Sequence, residues 1–132
     1  MAGYRFKVDK LIRDNLPAMM RDMGLRVFEH QLDDQAYDSA LRAKLVEEAE
    51  EAHSAKTLDD IANELADLQE VILAFAKFHG LTTEQIEAVR LEKRRERGGF
   101  DNRVFNAAVE ADLGLPAADY YLARPDQYPE ET

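Results

Sequence analysis

An all-α fold, a bundle of short and medium helices, is what this sequence predicts, and three observations carry that prediction. Apolar residues recur at spacings of three and four through most of residues 33–97. The periodic stretches open on N-capping residues: Asp33 or Asp34, then Thr57, then Thr82. Two of them close on glycine, at Gly80 and at Gly98-Gly99. Strict alternation is confined to short pieces near the N-terminus. A length of 132 residues suits one domain, residues 1–132. Its expected core is residues 7–100, with residues 101–132 as a C-terminal extension.

The elements follow in order. Residues 4–8 and 25–32 carry weak strand signals and could pair as a minor two-stranded piece. Between them, Pro17 forbids a continuous hydrogen-bond ladder, so the spacing predicts a short helix from about Asn15, its expected N-cap, to Met23, stopped by Gly24. A long helix is expected from Asp33 or Asp34 to Ala55, with Tyr37, Leu41, Leu45, Ala49 and Ala52 on its apolar side. Thr57 with Asp60 resembles a capping box and opens a second long helix to Phe78, striped by Ile61, Leu65, Leu68, Ile72, Phe75 and Ala76. Thr82 with Gln85 is another capping box, for a helix reaching Arg97. Residues 101–113 could form a further short helix. The tail beyond Pro116, with three Tyr, is expected along the surface.

Composition narrows the function. The chain carries 17 basic and 27 acidic residues, a formal charge of −10, and no Cys. That balance disfavours a nucleic-acid polymer as partner. No apolar run is long enough for a membrane span, and the first ten residues lack the apolar stretch of a signal peptide. With no disulfide framework, these features favour a cytoplasmic protein.

The acidic pattern on the two long helices is the informative feature. Glu47, Glu48 and Glu51 fall within an arc of about 100° on one helix. Leu45, Ala49 and Ala52 lie beside that arc, so the acidic face borders the core. Glu64 and Asp67, three apart on the next helix, lie beside Leu68 and Val71. The twelve residues between Glu51 and Glu64 allow a turn and an antiparallel return that brings the two faces together. Like charges so arranged repel unless a cation compensates, and a hard divalent ion such as Mg²⁺ takes oxygen ligands of this kind. His53 lies off the acidic arc, against a zinc or mixed His/carboxylate site. Read from these residues alone, the choice stays open between a metal site and a solvated acidic face. Cations are at hand for phosphate binding. Lys44 lies inside the acidic arc, and Lys93 and Arg97 share a face of the later helix. The ordinary alternatives are i,i+3 or i,i+4 pairing for Lys44 and dipole complementation for Lys93 and Arg97.

Glu47-Glu48-x-x-Glu51 followed by Glu64-x-x-Asp67 resembles the signature of the all-α nucleotide pyrophosphohydrolases, which include the MazG-like proteins, the phosphoribosyl-ATP pyrophosphohydrolases and the dimeric dUTPases. Residues 10–17, KLIRDNLP, and 97–100, RGGF, are similar to the opening and closing motifs of a small phosphoribosyl-ATP pyrophosphohydrolase-like subgroup. The resemblance implies an all-α bundle of that type and hydrolysis of a nucleoside triphosphate to monophosphate and pyrophosphate, in a housekeeping role. It also implies Mg²⁺, with Mn²⁺ as a substitute, held by Glu48, Glu51, Glu64 and Asp67. Glu47 becomes the candidate for water activation, with Lys44, Lys93 and Arg97 toward the substrate. A homo-oligomer, dimer or tetramer, is expected, with Phe75, Phe78 and Val89 at its interface. Lys10, Arg13 and Asp14 are expected near the site or that interface. The alternatives are a dedicated phosphoribosyl-ATP or dUTP enzyme, and a non-catalytic helical module that binds a nucleotide or a partner.

Overall fold

A computed structural model describes residues 2–131. Its elements are five helices: α1 (Leu16–Asp22), α2 (Asp34–Ser54), α3 (Leu58–Phe78), α4 (Thr83–Arg97) and α5 (Ala118–Leu122). The chain divides into two compact units, Met1–Arg95 and Glu96–Thr132. No helix among the described residues is long and apolar enough to cross a membrane.

The first unit is organised by α2 and α3, the one packed helix pair among the described residues. Local chemistry sets their starts. The Asp33 carboxylate accepts the Ala36 N–H at 2.8 Å, and the Thr57 hydroxyl accepts the Asp60 N–H at 3.1 Å. Only Ala55, Lys56 and Thr57 separate the two helices, so α3 must return along α2. The contact is small: Leu41, Val71 and Ala76 are its buried apolar side chains, with Leu41 at 1% exposure. Gly80, at φ +73°, ends α3 in the left-handed conformation that a Cβ would disfavour, and Leu81 N–H returns to the Ala76 carbonyl at 2.9 Å. The capping box at α4 is complete: Thr82 N–H donates to the Gln85 side chain at 2.8 Å, and Gln85 N–H to the Thr82 hydroxyl at 3.1 Å.

Three expectations need correction. Residues 4–8 and 25–32 form no strand among the described residues. A side-chain contact joins them, the Arg5 guanidinium lying 4.5 Å from the centre of the Phe28 ring. A lone two-stranded ladder is marginal without a buried face, and Tyr4 and Phe6 are exposed. The Asn15 position does precede α1, but its side chain makes no cap bond; Pro17 in the first turn supplies the preorganised start instead.

The second unit carries the third correction. Residues 101–113 are not helical. Arg103 takes φ +56°, outside the helical region, and Val104 and Phe105 have no partner surface to reward a short helix. The short helix in this unit is α5, within the tail expected along the surface. Tyr120, Tyr121 and Tyr128 pack mutually with ring centres 5.0–5.8 Å apart, and Arg124 lies 3.9 Å over Tyr120.

Candidate metal and phosphate site

The antiparallel return of α3 brings Glu64 beside the acidic turn of α2. Glu48, Glu51 and Glu64 each offer a carboxylate oxygen, and these oxygens lie within 4.8 Å of one another. Glu48 is buried, at 6% exposure, the one buried charged residue among those described. Its burial, together with the negative charge of Glu51, pushes its carboxyl above the ordinary range; Lys44 offsets this only in part. Lys44 Nζ stands 3.4 Å from both Glu47 and Glu48. Even so, one oxygen of Glu48 and one of Glu64 are buried without a hydrogen-bond partner. Buried polar atoms left in this condition are costly. A divalent cation fits them: three carboxylates with oxygens within 4.8 Å of one another, two of their oxygens unsatisfied, form a hard-oxygen donor set.

The other two signature carboxylates are partnered by the N-terminal segment. Lys10 Nζ donates to Glu47 Oε1 at 3.1 Å, and Arg13 Nη2 to Asp67 Oδ1 at 2.7 Å. Burial raises the Glu47 pKa, but the Lys10 hydrogen bond and the charges of Lys44 and Lys10 outweigh it and hold the carboxyl below its ordinary range. Lys10 moves in the opposite sense, raised chiefly by the Glu47 hydrogen bond.

The structure therefore gathers Glu48, Glu51 and Glu64 directly, sets Glu47 and Asp67 beside them in ion pairs, and brings Lys44 into the group. Lys93 is exposed on α4 and makes no ion pair with these carboxylates. Arg97 belongs to the second unit. His53 is exposed and outside the cluster. Lys10 and Arg13, expected near the site or an interface, do reach signature carboxylates; what the sequence left unspecified is their partners, Glu47 and Asp67. The one available signal was two cations three apart in the motif KLIRD, just ahead of α1.

Comparison with known proteins bears on this site. A family model described as phosphoribosyl-ATP pyrophosphohydrolase matches residues 16–95, well over half of the chain and all five carboxylates. No curated protein and no solved structure matches.

Proposed function

The chain belongs to the phosphoribosyl-ATP pyrophosphohydrolase family, within the MazG-like all-α pyrophosphohydrolases, and on that premise we propose that it is a Mg²⁺-dependent housekeeping enzyme cleaving nucleoside triphosphates to monophosphate and pyrophosphate. The observation that carries this reading is the carboxylate triad with two unsatisfied buried oxygens. Glu48, Glu51 and Glu64, with Asp67 one turn further along α3, would hold the metal. Bound there, Mg²⁺ would neutralise the carboxylates and screen the phosphates of the incoming substrate.

The chain's own residues supply the rest. Lys10 and Lys44 hold Glu47 ionised, and its carboxylate is the proposed acceptor of the proton from a water attacking the α–β phosphoanhydride once Lys10 gives way. The P–O bond to the leaving group breaks as the new P–O bond forms, and the products are the monophosphate and pyrophosphate. Lys44 places a positive charge at the same wall, where charge spreads over phosphate oxygens. Lys93 and Arg97 remain candidates for substrate phosphate on their shared α4 face.

A homo-oligomer, dimer or tetramer, goes with this reading. Leu58, Ile61, Leu65 and Ile72 of α3 and Val89 of α4 are exposed, too much apolar helix surface for one hairpin to cover. The domain organisation we propose keeps residues 7–100 as the functional core and 101–132 as an extension. The family's description favours one second reading, a dedicated phosphoribosyl-ATP enzyme.

The test is pyrophosphate release with Mg²⁺ across standard and damaged nucleoside triphosphates, dUTP and phosphoribosyl-ATP, with the products identified. Monophosphate plus pyrophosphate from several triphosphates is the expected result. Turnover of phosphoribosyl-ATP or dUTP alone selects a dedicated enzyme, and hydrolysis of nothing in the panel points to a binding module.

A further inference from the structure

Lys10 and Arg13 lie in a segment without helix or strand, yet each reaches a different helix of the hairpin. Lys10 takes Glu47 of α2 across a separation of 37 residues, and Arg13 takes Asp67 of α3 across 54. Tertiary structure, not local sequence, makes these pairs. Both partners adjoin the triad: Glu47 precedes Glu48, and Asp67 is one turn beyond Glu64. Neither cation hydrogen-bonds the unsatisfied oxygens of Glu48 and Glu64, so the two flank the triad and leave those oxygens without a partner.

Stability does not account for the arrangement. The Lys10 and Arg13 side chains are 55% and 56% exposed, and ion pairs of that kind contribute little. Their chemistry does suit a polyphosphate. The guanidinium offers paired donors matched to two phosphate oxygens, and the ammonium is a mobile point charge on a long stem.

We propose that Lys10 and Arg13 are the phosphate-binding pair of this site, held in reserve on Glu47 and Asp67 until metal and substrate arrive. The inference rests on the pyrophosphohydrolase reading above. Arg13 leaving Asp67 frees a carboxylate for the metal and delivers a guanidinium to the substrate in one movement. Lys10 leaving Glu47 uncovers the proton acceptor in the same way. Metal and polyphosphate then favour each other's binding, because both draw on the same displaced cations.

The full chain is tested as Lys10→Met, Arg13→Met and Arg13→Lys, by calorimetric titration with Mn²⁺ alone and then with inorganic pyrophosphate at saturating Mn²⁺. Loss of a charged phosphate contact should weaken pyrophosphate binding about tenfold in each Met variant. Mn²⁺ binding should stay equal or tighten, since a competing cation is gone, and Arg13→Lys should recover part of the pyrophosphate affinity. Unchanged pyrophosphate affinity in both Met variants overturns the inference. So does a joint fall in Mn²⁺ affinity, pyrophosphate affinity and melting temperature, which marks the residues as structural ties. Wild-type protein that binds neither Mn²⁺ nor pyrophosphate overturns the function and the inference together. Wild type that binds both, with variants indistinguishable from it, overturns the inference alone.

Discussion

Asp38 and Glu48 sit on the same helix, ten residues apart, and their surroundings could hardly differ more. Asp38 is fully partnered: His79 Nε2 lies 2.7 Å from one oxygen and Arg42 Nε donates to the other at 3.1 Å. Aromatic rings close around this end, with Tyr37 against Phe78 at 5.2 Å and Phe75 against His79 at 4.9 Å. Glu48 is more deeply buried, has carboxylate oxygens of Glu51 and Glu64 within 4.8 Å, and keeps one oxygen without a partner. The hairpin can thus satisfy a carboxylate where the role is structural. At the other end Glu48 and Glu64 each keep a buried oxygen that no group of the chain satisfies, the condition a bound cation or water relieves.

The largest effect separating the two ends should be on catalysis. Glu48→Gln keeps the shape and removes a charge from the proposed metal set, and turnover should fall by about a thousandfold or more. Asp38→Asn should leave kcat/KM within about twofold, since it touches none of the proposed chemistry. Steady-state pyrophosphate release with far-UV circular dichroism on both variants checks this. Equal losses in the two variants would erase the distinction, and an active Glu48→Gln would remove Glu48 from the site.

Next in size is the response to metal. A ligand that binds only the folded protein stabilises it by about 2.7 kcal/mol at a hundred times its Kd. Mg²⁺ or Mn²⁺ should therefore raise the melting temperature of wild type and of Asp38→Asn alike, and leave Glu48→Gln nearly unmoved. A wild-type melting temperature indifferent to both ions would return the acidic face to ordinary solvated surface.

How much of this was legible in the sequence follows from the range of each interaction. The bounds of α2, α3 and α4 were readable because a cap, a stripe of apolar residues and a stop are local signals, as at Thr57, Ile61–Ala76 and Gly80. The hairpin followed from the short span between Glu51 and Glu64, which is why the acidic faces could be expected to meet. Failures came where local signals were weak or the outcome depended on distant surfaces. Residues 4–8 and 25–32 had alternation without a sheet to join. Residues 101–113 had helix-compatible composition without a surface to bury against, while α5 formed in a tail rich in Tyr and Pro. The pairs Asp38–His79, Lys10–Glu47 and Arg13–Asp67 join residues 41, 37 and 54 positions apart. No periodicity or motif spacing encodes such pairs, and they appear only once the hairpin and its N-terminal segment are assembled.

The smallest effect is the most discriminating, because pH should move the two ends in opposite directions. The His79 hydrogen bond, opposed by some burial and joined by Arg42, holds Asp38 below its ordinary value. The folded protein thus binds that proton less tightly than the unfolded chain does. The stability Asp38 contributes is complete above its unfolded value of about 3.9 and is lost as pH falls through the lower folded value. Burial and the Glu51 charge displace Glu48 upward, so the folded state binds its proton more tightly. In metal-free protein this is a cost above the folded value, relieved as pH falls through it and gone below the unfolded value of about 4.3. In EDTA, Glu48→Gln should melt above wild type at pH 7, and the gap should narrow steadily toward pH 4. Asp38→Asn should melt slightly below wild type at pH 7, by at most a few degrees for so exposed a pair, and keep that deficit down to about pH 4. Its gap should close only in stronger acid. Gaps of the same sign at pH 7 would mean that the two carboxylates are equally well satisfied, and the contrast between the ends of the hairpin would fail.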